Sequence, residues 1–267
     1  MPTADSRGRR AFLVGAITAL LVAQVAAAFA VALEEGPGGP PVDPGTAVIQ
    51  GVSRLTPGGP TQDAWRVTSG SLFVRDGVGW TGPPDGEPVD SWDDPDTGSA
   101  VFRAVLDRPL TSSAEVSFTY TARRFVETDR TPPQAWDGLH LLLRWQDPET
   151  FYSFSVLRRD GMVVVKKKVP GGPSNGGTYL TLGEARIEQA GAGERHVAVS
   201  IADHPAGSVS FAITIDGVRV MEATDDGSDA PVIAQPGRAG LRGDNLEFVF
   251  QDFVVRPLAA ASDVVGA

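Results

Sequence analysis

GLHLLLRWQDPETFYSFSVLRRDG, residues 138–161, holds two alternating apolar runs around an Asp-Pro turn and ends on Arg-Asp-Gly. In the first run Leu139, Leu141, Leu143 and Trp145 fall on one side of an extended chain, with His140, Leu142 and Arg144 on the other. In the second, Tyr152, Phe154 and Val156 share the apolar side, and Ser153, Ser155 and Arg159 the polar one. Side chains of a strand point alternately to the two faces of its sheet, so a period of two marks half-buried strands. The Arg-Asp-Gly signal predicts a tight hairpin into MVVVKKKV, residues 162–169. There Met162, Val164, Lys166 and Lys168 share one face, and Val163, Val165, Lys167 and Val169 the other, more core-like one.

The same period recurs outward from this stretch. AEVSFTYTA (114–122), RHVAVSIAD (195–203), SVSFAITIDGVRVMEA (208–223, turning at Asp216-Gly217) and LEFVFQDFVVRP (246–257) read as further strands. No amphipathic helix follows the N-terminal region, and 31 Gly with 21 Pro favour many turns. The pattern predicts an all-β antiparallel sandwich, a jelly roll, over residues 61–257, preceded by one N-terminal hydrophobic helix and followed by a tail, 258–267.

Residues 11–33 carry no charge and are long enough to cross a bilayer as a helix. Arg7, Arg9 and Arg10 precede them and Glu34 and Glu35 follow, an asymmetry that places the remainder outside the cytoplasm. GRRAFLV resembles a twin-arginine export signal, and AFA (28–30) and AVA (30–32) suit cleavage. Residues 1–33 are therefore expected to be a signal peptide or a membrane anchor, leaving a protein either secreted or held by that helix. Residues 34–60, opening with EEGPGGPPVDPG, read as a Pro/Gly-rich linker.

A formal charge of −10 excludes a general nucleic-acid binder, and the absence of cysteine excludes disulfides and thiolate chemistry. There is no His-Glu-x-x-His and no phosphate loop.

Three segments resemble the concanavalin A-like lectin and glucanase superfamily in its laminin-G-like branch. They are the 138–161 stretch, ERHVAVSIAD…SVSFAITIDGVRV, and the closing GRAGLRGDNLEFVFQDFVV. The resemblance covers roughly residues 61–257 and implies a jelly roll that hosts lectins, glycosidases, lyases and adhesion modules alike. It implies a glycan partner and a structural calcium near the chain ends, for which Asp252 and Asp244, beside Asn245, are candidates and turn capping the structural alternative. The acidic loop 90–98 reads as solvated. The paired carboxylates of retaining glucanases are missing from every strand. A lyase would need a base and a cation at the uronate, which makes His140 the candidate catalytic residue, with a tyrosine as the alternative base, and Arg144, Arg159 or Lys166 the clamp. The bland alternative for His140 is a core histidine satisfied by its neighbours.

The segment 158–177 carries a local charge of +4 within this acidic chain. If its strands are neighbours, His140, Arg144, Ser153, Ser155, Arg159, Lys166 and Lys168 line one sheet face. Clustered cations there would suit an anionic glycan, whereas a solvated edge needs no ligand. Trp136 and Tyr179 are the aromatic candidates nearest that face, with Trp65, Trp80 and Trp92 elsewhere. PGGPSNGG (170–177) is expected to be a mobile loop. The expectation is an exported carbohydrate-binding jelly roll for acidic polysaccharide; a lyase or hydrolase of the same fold and a cell-surface adhesion module are the alternatives.

Overall fold

The computed structural model describes residues 53–55, 65–75, 78–82, 101–110, 112–127, 132–187 and 193–258. The expected signal or anchor segment, most of the linker, Trp92 and the acidic loop 90–98 lie outside these residues.

The alternating runs form strands, all paired antiparallel in two sheets. In chain order they are β1 (Ser53–Leu55), β2 (Trp65–Ser69), β3 (Leu72–Arg75), β4 (Val78–Trp80), β5 (Val101–Leu106), β6 (Ala114–Phe125), β7 (Gly138–Asp147) and β8 (Thr150–Arg158). There follow β9 (Met162–Ser174), β10 (Gly177–Arg186), β11 (Glu194–Asp203), β12 (Val209–Ile215), β13 (Val218–Asp225), β14 (Arg238–Asp244) and β15 (Leu246–Pro257). One sheet runs β10-β9-β8-β7-β14-β5-β2 and the other β1-β3-β4-β15-β6-β11-β12-β13. β1 lies ahead of residue 61, inside the stretch expected as linker, and pairs with β3.

The apolar faces meet between the sheets. Leu139, Leu141, Leu143, Tyr152, Phe154, Val163 and Val165 of one sheet join Val116, Phe118, Val197, Val199, Phe211 and Phe248 of the other in one buried cluster. Aromatic rings tie the layers: Phe211 lies 4.8 Å from Tyr152 and 5.4 Å from Phe154, and Phe248 lies 5.7 Å from Phe102. Full burial of each such side chain stabilises the fold by roughly 1.5–3 kcal/mol.

Pro170–Ser174 extends β9 instead of forming a loop. Asn175 (φ 47°) and Gly176 (φ 79°) make the turn into β10, with Gly177 paired to Pro170. Positive φ at both central residues is the hairpin geometry that Asn-Gly supplies at little cost.

Two bulges interrupt the alternation on which the sequence reading rests. In the β7–β8 ladder Leu139 faces Leu157, yet His140 faces Ser155, so β8 carries an extra residue there. In β7 the register shifts after Leu143, where Arg144 adopts φ 50°. One extra residue reverses which face every later side chain meets. Gly138 begins β7 at φ 155°, so close to β8 that a Cβ would sit 1.9 Å from the Leu157 carbonyl oxygen. Gly138→Ala is expected to lower stability by about 3 kcal/mol, measured by urea unfolding, because the β8 backbone must move.

Candidate functional site

The outer face of the seven-stranded sheet holds a cleft of about 390 Å³. Its floor comes from adjacent strands: His140 on β7, Ser153 and Ser155 on β8, Lys166 and Lys168 on β9, and Arg242 and Asp244 on β14. The β9–β10 hairpin supplies one wall with Pro173, Ser174, Asn175 and Tyr179; Trp136, 44% exposed, and Arg158 line the cleft as well.

Ladder pairing sets these neighbours. Arg242 and Ser155 both oppose His140, and Lys166 opposes Ser153. His140 Nδ1 lies 2.8 Å from Ser155 Oγ. Its Nε2 lies 3.2 Å from Asp244 Oδ2 without the alignment of a hydrogen bond. Asp244 accepts two bonds from Arg242 Nε, at 2.9 and 3.0 Å. Burial alone would raise the Asp244 carboxyl, but the Arg242 guanidinium and His140 outweigh it and hold it down to about 2. Arg242 Nη1 also donates to the Tyr179 hydroxyl at 3.3 Å.

The two cleft lysines differ. Lys168 Nζ donates to the carbonyl oxygen of Pro148 at 2.8 Å and reaches that of Asn175 at 3.5 Å, tying the β7–β8 turn to the hairpin wall. It lies 5.2 Å from the Tyr179 ring centroid, within cation–π range. Burial first, then Arg242 and Arg103, push it down to about 8. Lys166 is half-buried and has no ion pair or hydrogen bond among the described residues; its Nζ lies 5.9 Å from the Tyr179 ring centroid, and Asp160 and Glu184 act on it from beyond ion-pair distance. Burial, then the Arg158 guanidinium, lower its affinity for a proton.

His140, Ser155, Lys166, Lys168, Trp136 and Tyr179 therefore gather as the sequence suggests. Arg144 and Arg159 do not. Past its bulge Arg144 turns away, 1% exposed, and donates to the Ile233 and Ser112 carbonyls and to Asp203 Oδ1 at 2.6 Å. Arg159 bonds Glu127 and Asp137 and lies 4.5 Å over the Phe125 ring. The β8 bulge gives its place in the cleft to Arg158, which Asp160 holds through two bonds. Trp145, expected among the core leucines, lies on the outer face with Val105, Leu142 and Phe151 for the same reason. Arg242 was missed; its signal was the Arg-Gly-Asp at 242–244, whose even spacing puts both charges on one face. Of the other tryptophans, Trp65 is buried in the core and Trp80 packs on Phe73 at 5.1 Å.

The metal candidates stand apart. Asp252 is exposed at φ 53° in a β15 bulge, and Asp244 faces a guanidinium that a cation would have to displace. Among the described residues no three His, Cys, Asp or Glu side chains gather to hold a metal.

No family model and no curated protein sequence matches the chain. Solved structures with a similar course include a carbohydrate-binding module, CBM66, from Bacillus subtilis, at 14% identity and TM-score 0.46, covering 72% of this chain and 94% of that one. The exoplasmic/lumenal domain of VIP36, in a Ca2+/Man3GlcNAc-bound form, is 9% identical with TM-score 0.48, covering 80% and 93%. A protein of galectin-like fold from Bacillus subtilis is 14% identical with TM-score 0.46, covering 80% and 99%. The chain's two antiparallel sheets form a sandwich, and its similarity to these proteins is one of architecture.

Proposed function

We propose that the cleft binds an anionic glycan, a polymer or oligomer of uronate-type sugars, outside the cytoplasm. The observation that supports this best is Lys166: a half-buried ammonium in a cleft, with no ion-paired carboxylate among the described residues. A charge held out of water costs free energy unless an anion completes it. Of the four cationic side chains that line the cleft, Arg158 is held by Asp160 and Arg242 by Asp244, which leaves Lys166 and Lys168 without an ion-paired carboxylate among the described residues. Trp136 offers an exposed apolar face on which a pyranose ring can stack. The uncharged run 11–33 behind three arginines supports the extracytoplasmic placement.

Calorimetry with oligogalacturonate and with a neutral oligosaccharide of equal length tests the reading. Binding confined to the charged ligand and weakened by salt is expected; equal affinity for both, or none for either, rejects it. The pH dependence follows from Lys168, which is charged below about 8 and loses its proton above. A bound anion raises that value, so binding takes up protons near pH 8 and affinity falls between pH 7 and 9.5, about tenfold per unit of upward shift. In the free protein the depression from 10.5 works oppositely: it destabilises the fold below about pH 8, and the penalty fades as pH approaches 10.5. Affinity flat across this range would remove Lys168 from the charge that attracts the ligand.

A further inference from the structure

We infer that Ser155 is a nucleophile served by His140, so that the cleft transfers acyl groups from an ester; that the ester is an O-acyl group on an anionic sugar rests on the function proposed above.

Asp244 carries its negative charge beside Nε2 of His140, at 3.2 Å. The contact is out of line for a hydrogen bond, so Asp244 favours a proton on Nε2 through its charge alone; in that tautomer Nδ1 carries the lone pair. Ser155 Oγ lies at that lone pair, 2.8 Å away. Carboxylate, base and hydroxyl thus stand in sequence along the floor of the cleft, on β14, β7 and β8, with the base and the hydroxyl hydrogen-bonded. This is the arrangement by which a hydroxyl is activated, recognised by geometry and not by sequence order. All three groups are less than 7% exposed, so water competes little for their bonds.

The surroundings supply what an oxyanion needs. Past the β8 bulge, Arg158 is the next cleft-lining residue after Ser155 on that strand. Lys166 stands diagonally across the ladder, since it opposes Ser153 while Val164 opposes Ser155. Diagonal neighbours are about 7–8 Å apart at their backbones, a distance a lysine side chain spans. Preorganised cations beside a developing alkoxide are the largest source of stabilisation in such reactions.

Ser155 Oγ adds to the ester carbonyl carbon as its proton passes to His140 Nδ1. The tetrahedral oxyanion collapses, the carbon–oxygen bond to the sugar breaks, and the departing oxygen takes the proton from Nδ1. Water then attacks the acyl-serine, giving a proton to Nδ1 that returns to Oγ as the acid leaves. One ester and one water become one alcohol and one carboxylic acid, with no oxidant or further reactant.

The test is labelling of the full chain with a fluorophosphonate, followed by peptide mapping and hydrolysis of p-nitrophenyl acetate. A phosphonyl adduct on Ser155 is expected, absent in Ser155→Ala and formed at least ~100-fold more slowly in His140→Gln. No adduct in the wild type, or one that persists in Ser155→Ala, overturns the inference. Labelling as fast in His140→Gln as in the wild type overturns the role of the histidine. Oligogalacturonate binding on the same preparation separates the two proposals. Binding without an adduct removes the acyl chemistry and leaves the glycan reading, whereas an adduct without binding removes the anionic sugar and leaves the nucleophile.

Discussion

Lys167→Ala is expected to lower the unfolding free energy by about 3–5 kcal/mol, measured by urea or thermal unfolding. Lys167 is fully buried, with Nζ 2.8 Å from Asp225 Oδ1 and 2.6 Å from the Ala230 carbonyl oxygen. Tyr152 donates to the other Asp225 oxygen at 2.6 Å and accepts from the Ile233 amide at 3.1 Å. Burial and that carboxylate push the Tyr152 phenol well above its ordinary range, so it stays a donor. Removing the ammonium strands the Asp225 charge, 2% exposed, and loosens the connection from β13 to β14. Replacing both partners, as Lys167→Met with Asp225→Leu, should recover much of the loss, because no lone charge is left behind. A loss below about 1 kcal/mol for the alanine variant would show that solvent replaces the partner. The pair also fixes the face of β9. A slip of one residue would bring Lys167 into the cleft and drive Lys166 and Lys168 into the core.

The second large effect is on binding. Lys166→Glu is expected to weaken oligogalacturonate affinity by at least ~30-fold, about 2 kcal/mol, read by calorimetry. The unpartnered ammonium becomes a carboxylate facing the ligand's own. The fold should tolerate Lys166→Ala well, since that change removes a partly desolvated charge and breaks no hydrogen bond. Arg219→Ala, an exposed change on β13 in the other sheet, is the control and should bind as the wild type does. Equal affinities for Lys166→Glu and the control would place the ligand elsewhere.

Both variants turn on which face a side chain meets, and alternation made much of that legible. Val197, Val199 and Ile201 of β11 are buried in phase as their spacing implies, and Asp216-Gly217 turns at φ 50° and 77°. Alternation also separated Lys167 from Lys166 and Lys168 correctly. It failed for Arg144, Arg159 and Trp145, which lie beyond the bulges of β7 and β8. A bulge belongs to the pairing of two strands, and no local run of apolar residues announces it. Arg242 escaped because its strand, β14, carries Gly240 and Gly243 and too few apolar residues to show a period. The Asn175-Gly176 turn was readable in principle, but the flanking glycines and prolines hid it inside an apparent loop.

Lys168 has three N–H donors, and two of them reach carbonyls on separate segments, Pro148 on one side and Asn175 on the other. A ligand carboxylate that engages the remaining donor is thereby joined to the hairpin wall itself. Whatever frees the wall must give up that shared ammonium, and whatever occupies the cleft holds the wall in place. Under the glycan reading, occupancy of the cleft and the position of the hairpin wall are one linked equilibrium, in which the bound anion helps to hold its own enclosure shut.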